Sequence, residues 1–265
     1  MRCRKRIVIL FSLILLAAFF LANPCRQIYV VPIIMYHSVA PDAAVANRLL
    51  TVSVDAFRRQ MRFLKSRHYN VIPLESIAAL IKDKKRIPPR TIAITFDDGY
   101  KDNYTYAFPI LQKYNLPATI FIIVNEVDRP QGDRLNWLQI KQMQDSGIFS
   151  IASHAVGPEP LINLKSEQEI RYEIFESKKI LEDRLGRRVN IFSYPEGRLN
   201  DKIKQLVINA GYNLAVTTNP GKGFPNDDIF ALKRLRISST SDNLLVFWIE
   251  TSGYYNFMRE HRRKK

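Results

Sequence analysis

The sequence predicts one α/β domain built on a parallel sheet, open or closed into a barrel, and three observations predict it. From Val30 onward short apolar runs alternate with amphipathic segments, the pattern of strands separated by crossover helices. The run Thr91–Phe96 is apolar enough to need cover on both faces, as a central parallel strand does. The chain has 265 residues of which 46% are apolar, enough for one sizeable core. No linker, internal repeat or low-complexity tract interrupts Ile28 to Thr251.

Taken in order, Val30–Tyr36 reads as a buried strand. Ser53–Arg67 reads as a helix because Phe57, Met61 and Leu64 recur at i, i+4 and i+7. Leu74–Lys82 is a second helix, ended by the charged stretch before Pro88 and Pro89. Ala118–Val124 and Phe149–Ala152 are strands on either side of a helix at Asn136–Ser146. Ser166–Leu185 carries a long apolar stripe that stops at Gly186, a residue suited to a helix end. Val189–Tyr194, Leu214–Thr217 and Leu232–Ile237 complete the strands, with helices at Asp201–Ala210 and Asp242–Ile249.

The ends read differently from the domain between them. Arg2, Arg4, Lys5 and Arg6 precede an uncharged apolar run from Ile7 to Ala22. At ~1.5 Å per residue that run is long for a signal-peptide core and slightly short for a membrane span. Ala22-Asn23-Pro24-Cys25 is a poor cleavage site, so residues 1–27 are expected to act as a signal peptide or a signal anchor, with export of residues 28–265 either way. Cys3 and Cys25 both lie in this leading segment, which leaves the domain without a disulfide or a cysteine metal site. The net charge of +15 raises nucleic acid as a partner. The basic residues, however, gather in the first six residues and from Arg259 to Lys265, with no aromatic-interleaved basic stripe, so an anionic envelope surface is the better electrostatic partner. Nothing here fixes an oligomeric state.

In parallel α/β folds ligands gather beyond the carboxyl ends of the strands. Those ends read, in order, Tyr36-His37, Asp97-Asp98-Gly99, Ser153-His154, Tyr194-Pro195-Glu196-Gly197 and Thr217-Thr218. Two adjacent Asp after a buried strand are like charges that disfavour joint ionisation unless a cation sits between them. Helix capping is the bland alternative, but it rarely needs two carboxylates.

Here a resemblance enters. Thr95 to Tyr100 resembles the first motif of NodB-like polysaccharide deacetylases (carbohydrate esterase family 4), and Ser153-His154 the start of their second. Phe192 to Gly197 resembles the third motif, and Gly211-Tyr212 through Thr217-Thr218-Asn219-Pro220-Gly221 a later one. Pro32 to Val39 looks like the opening of the exported branch that includes poly-N-acetylglucosamine deacetylases. The motifs run in order from about residue 32 to about 240, with the core between 91 and 240; one alone is weak, five in order are specific.

The resemblance implies a distorted (β/α)7-type barrel and a metal-dependent hydrolase that removes acetyl groups from an N-acetylglucosamine polymer in the cell envelope. Carried over, Asp97 is the general base, Asp98 and His154 are metal ligands, and Tyr194 offers its backbone N–H to the oxyanion. The metal would be divalent, zinc first, with iron, manganese, cobalt or nickel open. Tyr36, His37, Pro195 and Arg236 are the candidate substrate-binding residues, with a packed structural role as the alternative for His37.

The chain also departs from the family. Pro158 stands where a second metal His belongs, and shifting by one brings Glu159 into register as a candidate ligand. No His falls where the late general acid belongs, since His261 lies in the basic tail. Ser193 replaces the Arg that orients the catalytic Asp in many relatives, leaving Arg234 or Arg236 as a substitute or as a solvent-facing residue. The rival expectation is therefore a degenerate relative that binds glycan, or a partner, without turnover.

Overall fold

A computed structural model describes residues 30–41, 47, 49–83, 87–130, 132–218 and 226–255. The expected leading segment, Asn219 to Gly221 and His261 lie outside the described residues. Among the described residues no helix is long and apolar enough to cross a membrane.

Among the described residues nine strands form one parallel sheet, which is nearly closed as a barrel. Its members are β1 (Ile33–Tyr36), β4 (Asn70–Val71), β5 (Thr91–Phe96), β6 (Ala118–Ile122), β7 (Phe149–Ser153), β8 (Ile191–Ser193), β9 (Leu214–Thr217), β10 (Leu232–Lys233) and β11 (Leu235–Arg236). The small strands β2 (Ser38–Ala40) and β3 (Thr51–Ser53) pair apart from it. Where the sequence reads a single strand over Leu232–Ile237, the chain makes two short ones that change partner at Arg234. β10 pairs with β9 and β11 pairs with β1, so one extended run bridges the two edges of the sheet. Counted with that run as one strand, β1 and β5 to β9 make the seven-stranded ring.

Helices α1 (Val54–Ser66), α2 (Leu74–Lys82), α3 (Phe108–Tyr114), α4 (Trp137–Asp145), α5 (Glu167–Leu185) and α6 (Asp201–Asn209) occupy the connections, and α7 (Leu244–Glu250) follows the last strand. Most boundaries follow local signals. Ser53 caps α1 through the Ala56 N–H, and Asn136 and Ser166 open α4 and α5 with reciprocal capping boxes. Gly186 ends α5 in the left-handed conformation. The helical stretch that runs to Tyr114 enters the sequence reading only as the helix the Asp pair would cap. It begins as a π-helical turn and carries Pro109 in the first turn of α3, so no regular 3.6-residue stripe marks it.

Strand side chains alternate between two faces, and this alternation builds the site. Ile33, Ala93, Phe121, Ala152, Ile191, Val216 and Leu232 form the apolar filling of the barrel, with Leu74, Ile77 and Ala78 of α2 packed against them. The opposite row, including Ile34, Tyr36, Ile94, Phe96, Ile120, Ile122, Phe192 and Tyr194, packs in the layer that includes the helices. Stepping along the inner row by twos toward the carboxyl ends replaces apolar with polar side chains. Ile33 leads to Met35 and His37, Ala93 to Thr95 and Asp97, Ala152 to His154, Ile191 to Ser193, and Leu232 to Arg234 and Arg236.

Candidate active site

The polar ends of the inner row open into a groove of about 1020 Å³. It is lined by Asp97, Asp98, His154, His37, Pro195, Thr218 and Arg236, together with Glu126, Arg129 and Arg134 on one wall.

Asp97 is the most constrained group in the groove. Arg234 donates Nη1 to Oδ1 and Nη2 to Oδ2, both at 2.6 Å. The guanidinium is itself fully buried and further tied to the Thr217 carbonyl at 3.0 Å, the Ser193 hydroxyl at 2.9 Å and the Thr95 hydroxyl at 3.2 Å. It also lies 5.1 Å from the Phe121 ring centroid. Burial works to raise the Asp97 pKa, but the Arg234 charge and hydrogen bonds, with His154 and His37, hold it below the usual carboxylate value. Arg234 thus stands where Ser193 cannot act. It reaches Asp97 from the run that closes the barrel, and the solvent-facing reading of this residue fails because its strand position points inward.

Asp98 is built differently. Its φ of 69° lies in the left-handed region, which an Asp tolerates better than a branched residue. Gly99 follows at φ 66°, where a Cβ would press to 3.2 Å from Ile122 Cδ1, so the turn favours glycine on two counts. His154 Nδ1 donates to the Ser193 carbonyl at 2.8 Å; that carbonyl can only accept, which assigns the proton to Nδ1. The other ring nitrogen, Nε2, faces Asp98 Oδ1 at 3.5 Å and Asp97 Oδ2 at 4.0 Å. Burial pulls the His154 pKa down, but the Asp98 hydrogen bond and the two carboxylate charges outweigh it and leave it raised. Asp98 is lowered in turn, burial being overcome by His154 and His37. Two carboxylates and an imidazole so arranged call for one positive charge among them, a proton on Nε2 or a metal cation.

Asp98 and His154 suit a divalent cation in kind: one oxygen and one imidazole nitrogen whose 3.5 Å separation two bonds of about 2.1 Å can span. They fall short in number. Among the described residues no group of three or more His, Cys, Asp or Glu is arranged to hold a metal ion. Asp97 gives both oxygens to Arg234. Glu159, the sequence candidate for the third ligand, is exposed and accepts from Asn163 Nδ2 at 2.7 Å, and the groove is lined by Pro158 instead.

The remaining sequence candidates divide. His37 lines the groove with Nδ1 buried and unpartnered, and burial, only partly offset by Asp97 and Asp98, lowers its pKa. Pro195 and the exposed Arg236 line the same groove. Tyr36 does not: its side chain belongs to the outward row, stacks on Phe96 and donates to Gln60 Oε1 at 2.8 Å. Tyr194 also points outward, its hydroxyl donating to the Phe230 carbonyl at 3.0 Å. Its backbone N–H, expected to face an oxyanion, is engaged by the Val216 carbonyl at 3.1 Å in the sheet ladder. Motif position points both tyrosines to the groove, whereas strand parity sends them to the helix layer.

Sequence reading also passed over Glu126, which follows the end of β6. It is buried, pairs with Arg129 at 2.5 Å and with Arg134 at 3.6 Å, and Arg134 stacks 4.0 Å over the Tyr100 ring. Its signal in the sequence is a carboxylate four residues past the apolar end of β6.

With this geometry in hand, similarity to known proteins is informative. The polysaccharide deacetylase family profile matches residues 84–215. The chain is 28% identical over 207 residues to the poly-beta-1,6-N-acetyl-D-glucosamine N-deacetylase of Staphylococcus epidermidis, covering 74% of this chain and 71% of that protein. A polysaccharide deacetylase structure from Bacillus cereus superposes with a TM-score of 0.71 at 33% identity, covering 83% of this chain and 68% of that one. The Streptococcus pyogenes deacetylase PplD, solved in complex with acetate, gives 0.72 at 29% identity over 82% of this chain and 97% of that one.

Proposed function

Because the chain belongs to the polysaccharide deacetylase family, hydrolases that act on amide bonds, we propose that it removes acetyl groups from N-acetylglucosamine units of a polysaccharide in the cell envelope. The observation that carries this reading is the convergence of Asp97, Asp98 and His154 at the base of one groove, with Asp97 held ionised by a buried arginine. The Staphylococcus epidermidis relative supports the N-acetylglucosamine polymer as substrate, and the acetate in the PplD structure is the acyl product such a reaction releases.

In this reading Asp97 accepts a proton from water as the water oxygen bonds the acetyl carbon. Arg234 fixes the direction of its free lone pairs and keeps it charged at neutral pH. Asp97 then returns that proton to the leaving nitrogen as the C–N bond breaks, a role the missing late histidine leaves to it. Asp98 and His154 are the residues that would hold a divalent cation, zinc before iron, manganese, cobalt or nickel; when bound, it polarises the carbonyl and lowers the pKa of water. His37, neutral by virtue of its lowered pKa, offers its unpartnered nitrogen to the acetamido group. Pro195 and Arg236 form part of the sugar-facing wall. Export, by a cleaved signal or a retained membrane anchor, is part of the proposal and rests on the apolar run Ile7 to Ala22.

A second reading is favoured by the one-short ligand set: a groove that binds glycan without turnover. Acetate release from N-acetylglucosamine oligomers by the metal-supplemented protein, alongside Asp97→Asn, decides between them. Release that vanishes in Asp97→Asn supports the hydrolase. Binding of oligomer with no acetate release, across the candidate metals, establishes the second reading instead.

A further inference from the structure

Helix α7 is two-faced in an unusual sense. Its inward side carries Phe247, packed edge-on against Phe63 of α1 at 6.1 Å, and ends at Thr251, whose hydroxyl lies 3.4 Å from that of Tyr69. Its outward side is also apolar. Leu245 is 61% exposed and Trp248, one turn on, 50% exposed, with Val246 beside them. Three of the seven large exposed apolar side chains among the described residues therefore fall on this one short helix, where a soluble helix would place charges.

Two observations say what faces it. The Val30 N–H donates to the Gly253 carbonyl at 2.9 Å, so the chain arriving from the apolar run Ile7–Ala22 enters the barrel beside the end of α7. A few residues beyond Gly253 the sequence carries Arg259, Arg262, Arg263, Lys264 and Lys265 against the single acid Glu260. An exposed indole and leucine, followed closely in the sequence by a cluster of cations, match the apolar boundary and negative surface of a lipid layer.

We propose that the outward face of α7, Leu245 with Val246 and Trp248, docks on an anionic lipid surface, drawn there by the basic run Arg259–Lys265. None of these three side chains lines the groove, although Glu250 at the end of α7 does, and the contact holds whether or not the groove turns substrate over. It would fix the orientation of the barrel on the surface, which a single flexible attachment cannot do.

The test uses the full chain carrying Trp137→Phe, so that Trp248 is the sole tryptophan. It is reconstituted with vesicles of phosphatidylcholine alone or mixed with phosphatidylglycerol, each with brominated acyl chains. Vesicle association itself is not the readout, since the leading apolar run could supply it. Trp248 emission should shift to the blue and lose most of its intensity in the phosphatidylglycerol vesicles, and much less in phosphatidylcholine. Glutamine at Arg262, Arg263, Lys264 and Lys265 should require at least about tenfold more anionic lipid for the same quenching. Leu245→Gln should also weaken it. The proposal is overturned if Trp248 of the vesicle-bound chain stays unquenched, or if quenching ignores lipid charge and the basic run. It is equally overturned if Trp248 is already shielded before lipid is added, which would mean that another segment of the chain or a second copy covers the face.

Discussion

Asp97 and Asp98 follow one another on the same strand end, yet Asp97 has both oxygens bound by Arg234 and a side chain 3% exposed, whereas Asp98 is 22% exposed and faces only His154 at 3.5 Å. The first is a carboxylate fixed in place; the second is a carboxylate left open. Parity explains half of the contrast, because Asp97 continues the inner row of β5 into the barrel where Arg234 waits. The left-handed φ of Asp98 explains the rest, since it breaks that parity and turns the next side chain into the groove instead of outward to the helices. The roles proposed for Asp97 and Asp98 ask for that contrast, since a base needs position and a ligand needs vacancy.

Breaking the closed half should have the largest effect. Arg234→Met leaves the Asp97 charge buried without its partner, at a cost of about 3–5 kcal/mol in folding stability. Denaturant unfolding should report that loss, and the acetate-release assay should fall to background because the base becomes easier to protonate. If stability drops by less than about 1 kcal/mol, the pair is not the constraint argued here.

Breaking the open half should separate function from stability. Asp98→Asn keeps the shape and suits the left-handed φ, so stability should change by less than about 1 kcal/mol. Divalent-cation binding, followed by calorimetry on the folded variant, should nevertheless be lost. Undiminished cation binding by Asp98→Asn would remove Asp98 from the ligand set.

A third carboxylate sharpens the comparison. Asp102, near the same strand end, accepts from Ser38 at 2.5 Å and Asn103 at 2.9 Å but has no bidentate arginine. Burial dominates those hydrogen bonds and raises its pKa from 3.8 to about 6. The sign follows from linkage: the folded state holds the Asp102 proton more tightly than the unfolded chain, so its contribution to stability is present below 3.8 and declines as pH rises toward about 6. Asp97, with a depressed pKa, has the opposite sign and loses its contribution as pH falls. Asp102→Asn should therefore abolish a decline in stability between these two pH values, measured by denaturation at closely spaced pH. An unchanged pH profile would mean that the wild-type carboxyl is not buried against its charge.

The smallest effect belongs to Glu159→Gln. With its carboxylate on Asn163 and away from the groove, the variant should match the parent in cation affinity and acetate release. A loss of several-fold in either would return Glu159 to the site.

Much of this molecule was legible in one dimension. The alternation of apolar runs with helices, the Ser and Asn caps, and the polar residues Asp97, Asp98 and His154 after buried strands are local signals, and each survives in the fold. At the site one question recurs. Motif position points Tyr36 and Tyr194 to the groove, loop register points Glu159 there, and Arg234 has two open roles in the sequence; in each case which way the side chain points is decided by the tertiary structure.

The sequence by itself determined most of the elements, their order and the family, because propensity, capping and motif spacing act over a few residues. Only the tertiary structure decided the site's wiring. Arg234 lies 137 positions from Asp97 in the chain, and nothing short of closing the barrel, with β10 on β9 and β11 on β1, brings its guanidinium to that carboxylate. Local chemistry can place a charge at a strand end, but the partner that makes burial of that charge tolerable comes from the far edge of the sheet, and ring closure is a property of the whole fold.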